Sequence, residues 1–270
     1  MSLTAEPVAA PPGRAAHARR DGHRAVLATL ASVLLGLVVW QLLAVRFGPA
    51  LLASPAETLA AAVELAKDGT LFNSMLASSR RILIGWGLGL LVGAPVGLVM
   101  GRMRLVRTLL DPYIEFFRFI PPVAFVTLAV VWFGIGESSK VVLIFYTSVF
   151  IVTLNTVAGV LAVSESKLRA AASLGAGRWQ TLRHVVLPAT VPHVVTGARL
   201  AMGNSFLTIV SAEIVAAQVG LGALIWTSRN YGRIDWVFVG IITLGLLGFV
   251  FDRVLRIVAR RLLGRYGVKL

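Results

Sequence analysis

The chain has 270 residues, of which 57% are hydrophobic and only 14% charged, and its 26 Lys+Arg outweigh 12 Asp+Glu for a net charge of +14. A soluble domain carries about 45–50% apolar and about 25% charged residues, so this chain lacks the polar surface for a water-facing globule; its mean hydropathy of +0.83 excludes disorder. The absence of cysteine excludes a disulfide scaffold, a thiolate metal site and a cysteine nucleophile. What remains is a polytopic membrane protein, whose basic excess needs no nucleic acid because cytoplasmic loops are positive.

A bilayer core takes about 20 mostly apolar residues per helix. In chain order the expected spans are about 26–46, 80–101, 117–136, 140–163, 193–216 and 236–258. The third contains Pro121-Pro122, and the last has to continue past Asp252 and Arg253. Residues 1–24 are rich in Ala, Pro and Arg without apolar period and are expected to form a disordered cytoplasmic tail. The first span exceeds a typical signal-peptide core of about 7–15 residues, so it is expected to stay as an anchor. Residues 259–270 read as a basic cytoplasmic tail closing the permeation domain of 25–258. Six spans divide the basic residues 18 to 7 between the two sides, Arg118 being left out at a span entrance. That imbalance puts both termini in the cytoplasm. The expected class is an all-α membrane protein with six transmembrane helices.

Residues 164–192 form a connection too long to be a plain linker. Ser164 can cap a short helix through Leu174, and Gly175 can supply a left-handed turn. A second short helix carries Trp179, Leu182 and Val186 on one side and is expected to stop at Leu187-Pro188, with Pro192 opening the next span. Such a basic, partly apolar pair can lie on the membrane surface or dock a protein; a compact knob favours docking.

Charges inside a span are functional suspects. Glu213 stands in the outer half of span five and can pair with Arg80, Arg81, Arg229 or Arg233, or meet solute. Asn204, Thr208 and Ser211 recur at i, i+4, i+7 and give that span a polar stripe, suited to a water-filled path or to helix association. Gly85, Gly89, Gly93, Gly97 and Gly101 form a small-residue ladder that signals close helix packing. Arg118 precedes the double proline, which frees backbone carbonyls that must find protein or a cavity. The four histidines show no metal pattern, and no acid–base pair or phosphate-cradling glycine motif is present.

Ala170-Ala171, Gly175 and, after nine intervening residues, Val185-x-Leu187-Pro188 resemble the EAA loop of ATP-binding-cassette importer permeases. Arg169 stands where that pattern has Glu. The blocks Phe117–Pro122, Trp132–Lys140, Ala212-Glu213-Ile214 and Gly220-Leu221-Gly222 resemble the sulfonate/nitrate/taurine branch, and the similarity runs from about Leu51 to Arg256. The resemblance implies the type I ABC importer (MetI-like) permease fold, in a subunit that dimerises with a second permease copy. It implies docking on separate ABC ATPase subunits through Arg169, Ala170, Ala171, Leu174, Gly175, Trp179, Leu182, Leu187 and Pro188. It implies an extracytoplasmic solute-binding protein on the other face and an inner-membrane location. No cofactor is expected in this chain, ATP and Mg being bound by the partner, and the solute is expected to be a small anion such as a sulfonate, taurine or nitrate. The exchange at Arg169 signals either a matched change in the ATPase or docking dominated by shape. An ion-coupled secondary transporter is the alternative; it requires internal repeats and intramembrane ion ligands, and the chain shows no repeat.

Overall fold

The computed structural model describes residues 14–266 and contains, among them, only helices. The first compact unit ends at Glu57. Its helix α1, Arg14–Phe47, begins inside the segment expected to be a disordered tail. Past Pro12 no further proline interrupts the Ala- and Arg-rich stretch, whose residues favour helix, so the helix extends back to Arg14 while the apolar span itself covers Leu27–Phe47; residues 1–13 lie outside the described residues. Gly48, at φ +78°, turns the chain, and the Trp40 indole N–H donates to the Ala53 carbonyl at 2.9 Å.

The second unit, from Thr58, holds the remaining helices, α2 (Pro55–Lys67) from its fourth residue on. Two short ones, α2 and α10 (Leu221–Asn230), escape a search for spans because neither is long enough to cross. Ala61 and Leu65 of α2 bury against Leu221 and Leu224 of α10 and Val239 of α11, Ile234–Leu263. Helix α3, Thr70–Arg102, starts ten residues ahead of its expected span, because the added turns bury Ser74 and Ser78. Helix α6 spans Glu137–Leu161 and α9 Leu187–Ala216. Ile82, Ile144, Met202, Phe206 and Ile209 form the central core where α3, α6 and α9 meet.

The glycine ladder is the α3–α6 seam. A Cβ placed on Gly89 would come within 2.4 Å of the Ser148 Cβ, and one on Gly97 within 2.6 Å of the Thr153 carbonyl. The closeness lets Thr153 Oγ1 donate to the Gly93 carbonyl at 3.2 Å. Gly89→Val is therefore expected to cost about 1–3 kcal/mol by overpacking, measured as a lower inactivation temperature of the detergent-solubilised protein; an unchanged temperature would contradict the seam.

The third expected span is not one helix. Helix α4, Arg104–Phe117, ends before the prolines, and the chain resumes as a 3₁₀ turn, Pro122–Phe125, leading into α5, Val126–Phe133. Pro121 and Pro122 remove two consecutive amide donors, and the two halves meet at 88°. Among the described residues five helices are long and apolar enough to cross a membrane, six if this bent pair counts as one span. Helix α4 keeps its apolar side on Met100 and Val157 through Ile114, Val106 and Leu110. At the other end α11 runs on to Leu263, so the start of the expected basic tail is helical; residues 267–270 lie outside the described residues.

Candidate coupling surface and transport pathway

The cytoplasmic connection folds as a helix, a glycine turn and a helix. Helix α7, Glu165–Ser173, has Ser164 at its N-cap, but the serine side chain makes no capping bond, contrary to expectation. Gly175 sits at φ +75°, where an L side chain is strained. Its N–H donates to the Ala172 carbonyl and the Ala176 N–H to the Ala171 carbonyl, both at 3.0 Å, closing the helix end. The chain re-enters helix at α8, Arg178–Thr181, where the Gln180 side chain accepts from the Gly177 N–H at 2.8 Å.

Leu187-Pro188 does not stop this second helix. A π turn over Leu182–Val186 carries α8 directly into α9, with Pro188 in its first turn and Pro192 inside it. Proline cannot donate to the residue four back, and the wider ladder, with the Leu187 N–H bonded to the Leu182 carbonyl, changes register just ahead of Pro188. The knob is thus welded to a membrane span.

Of the residues expected to couple, Leu174 and Trp179 are 87% and 70% exposed at its tip, and Ala170 and Arg169 are exposed beside them. Ala171 is buried inside, and Leu182, Leu187 and Pro188 are half-buried at its root. Arg169 faces Glu165 one turn earlier at 3.8 Å, so an acidic side chain lies beside the position where the family pattern has Glu.

At the other end of the same spans lies a buried ionic cluster. Glu213 is fully buried; its carboxylate accepts from Arg81 Nη1 at 2.7 Å, Ser78 Oγ at 2.8 Å and the Gly222 N–H at 2.8 Å. Arg81 also grips Glu137 with two bonds, at 2.7 and 2.6 Å, and the Val219 carbonyl at 2.6 Å. Lys140 Nζ stands 3.7 Å from Glu137 and donates to the Gly136 carbonyl at 3.1 Å. A Cβ on Gly220, at φ +146°, would fall 2.4 Å from the Glu213 carboxyl carbon, so the Gly-Leu-Gly turn is shaped by the side chain it wraps. One cluster thereby joins α3, α6, α9 and α10. Of the partners open to Glu213 in the sequence, the structure selects Arg81. Arg233 instead binds Glu64 and Asp235, each at 2.8 Å. Hydrogen bonds from Arg233 hold the Glu64 carboxyl below its ordinary range, and Asp235 followed by Glu64 raises the Arg233 guanidinium.

Removing one member of a buried pair strands the other charge, at a cost of about 3–5 kcal/mol. Glu213→Ala is expected to destabilise the protein by that order, seen as loss of folded, membrane-extracted protein, whereas Arg80→Ala leaves it intact. Equal yields of the two variants would show that the cluster does not hold the fold.

Midway along the spans a cavity of about 310 Å³ brings Arg118 and Asn204 together with Tyr146 and Thr147. Tyr146 lies nine residues inside the outer end of α6, about 13 Å along its axis, which puts the cavity near mid-bilayer. The Tyr146 hydroxyl donates to the Phe117 carbonyl, the group that Pro121 deprives of its helical donor, and reaches the Ile120 carbonyl at 3.4 Å. Thr208 meets Thr147 at 3.0 Å between hydroxyl oxygens and is buried, so this member of the stripe joins helices. Ser211 is half-buried a turn further out. The role of Tyr146 was hidden in the sequence, because its partner lies 29 residues away; the signal was the carbonyl freed four residues before Pro121.

A broken mid-membrane span lining a mostly apolar cavity with a few polar side chains, coupled through its neighbours to a projecting cytoplasmic knob, defines a permease. A family profile described as binding-protein-dependent transport system inner membrane component matches residues 89–264. A probable ABC transporter permease protein of Brucella melitensis is 39% identical over 233 residues, covering 86% of this chain and 94% of the relative. The taurine transport system permease protein TauC of Escherichia coli is 36% identical over 251 residues, covering 90% and 91%. In fold, the inward-facing MetNI methionine ABC transporter superposes with a TM-score of 0.61 at 19% identity, over 74% of this chain and 98% of that one. The chain belongs to the binding-protein-dependent inner-membrane component family. It is a multi-pass inner-membrane permease subunit of an ABC importer and not itself an enzyme, and membership implies ATPase and binding-protein partners.

Proposed function

We propose that two copies of this chain form a permease dimer that passes a small anion inward, the anion meeting Arg118 halfway across. The observation that carries this is Arg118 itself: a mid-bilayer arginine costs about 2.5–3.5 kcal/mol on insertion scales and marks a solute path by default, and here it shares a cavity with Asn204. The similarity to a taurine permease supports a solute with an anionic group for Arg118 to meet, since taurine bears a sulfonate beside its ammonium. Asn204 and Ser211 extend the path along α9, Thr208 joins helices beside it, and Glu213 anchors its outer end rather than touching solute. Solute arrives from an extracytoplasmic binding protein, and ATP and Mg are bound on the ATPase subunits. Those subunits seat on Leu174 and Trp179, with Arg169, Ala170 and Ala171 completing the docking helix, Gly175 its turn, and Leu182, Leu187 and Pro188 the rigid root. Shape dominates the docking, because Arg169 already has Glu165 as its neighbour. The test is uptake of a radiolabelled sulfonate into liposomes holding the permease, its ATPase and its binding protein. Uptake is expected to need ATP and to survive collapse of the proton gradient; loss on collapse alone would favour an ion-coupled carrier.

A further inference from the structure

On the cytoplasmic side a second cavity, about 600 Å³, opens between the end of α3 and the root of the knob. Pro95, Leu98 and Val99 form one wall, Trp179, Leu182 and Leu187 the other. Arg102 and Arg178 complete the lining, and neither has a carboxylate partner among the described residues. Arg102 closes α3 at its cytoplasmic end. Pro95 stands seven residues earlier, about 10 Å deeper along the axis, within a hydrocarbon core about 30 Å thick. The cavity therefore runs from two cations at headgroup level to an apolar floor in the acyl region, and the largely exposed Trp179 stands at its mouth, one side of the ring facing the cavity and the rest left for the docking surface.

We infer that this cavity seats an anionic phospholipid, its phosphate between Arg102 and Arg178 and an acyl chain along Leu98 and Leu182. Depth separates this occupant from the ATPase: a water-soluble subunit reaches the exposed tip at Leu174 but not a floor inside the bilayer. Charge separates it from a zwitterionic lipid. A cationic residue near an anionic surface contributes enough that two favour the anionic headgroup roughly 30-fold. The lipid fills the gap between α3 and the helix that carries the knob, so it supports the coupling loop from behind.

The test uses the permease with its ATPase partner, purified from membranes of mixed phosphatidylglycerol and phosphatidylcholine and weighed intact by native mass spectrometry. Phosphatidylglycerol is expected to be retained roughly 30-fold over phosphatidylcholine, and Arg102→Gln/Arg178→Gln to lower its retention to the phosphatidylcholine level. Equal retention of both lipids, or undiminished phosphatidylglycerol on the double variant, would overturn the inference. The chain has no cysteine, so Leu98→Cys bears a unique label, and a photoreactive group there is expected to crosslink to lipid in the assembled complex. A crosslink to the ATPase subunit instead would also overturn it.

Discussion

Gly175→Pro is expected to abolish ATP-driven uptake while the protein still inserts and accumulates normally in the membrane. Gly175 holds φ +75°, and proline is locked near −65°. The substitution also deletes the N–H that closes α7 onto Ala172. Forcing the turn open costs about 3 kcal/mol or more, which is roughly 150-fold in the population of the docked loop. The spans are untouched, because a Cβ at Gly175 has open space around it. Gly175→Ala separates conformation from bulk: a left-handed alanine costs about 1–2 kcal/mol and is expected to leave partial uptake and partial retention of the ATPase during purification. Full uptake by Gly175→Pro would show that the knob does not couple.

Arg118→Gln is expected to lower uptake of an anionic solute about 10-fold to 150-fold, the size of one lost charged hydrogen bond of about 1.5–3 kcal/mol. The ATPase rate of the assembled transporter without solute should not move, since the cavity lies far along α9 from the knob. Arg118→Lys keeps the charge but loses the planar fork and should fall between. Native uptake kinetics in Arg118→Gln would remove Arg118 from the path. Loss of uptake with unchanged solute affinity and a collapsed inactivation temperature would make it a packing residue.

Much of this architecture was legible in local pattern. The glycine ladder announced a close seam because only a missing Cβ lets two helices approach so far, and Gly89 against Ser148 shows it. Gly175 was legible because a left-handed turn after an apolar period has few other solutions. The double proline announced freed carbonyls, though not that a tyrosine from α6 would take one of them. Where local signals pointed wrongly, a neighbour had changed the outcome. Pro188 reads as a stop in isolation, yet a π turn shifts the ladder just before it and the helix continues.

The sequence by itself determined that the chain lives in a bilayer, which side its loops face and which family it resembles, because hydropathy, charge count and motif spacing are properties of residues taken in order. Only the tertiary structure decided which charges meet. Four arginines were open to Glu213, and the choice of Arg81 depends on α3, α6 and α10 converging on one point, with Ser78 and the Gly222 N–H already there. The same holds for the cavity at Arg118. Its polar groups are scattered over residues 118 to 204 and become one site only when a broken span folds its bend against the middle of α6. Long-range electrostatic and packing choices are made by proximity in space, and proximity is what a linear pattern does not carry.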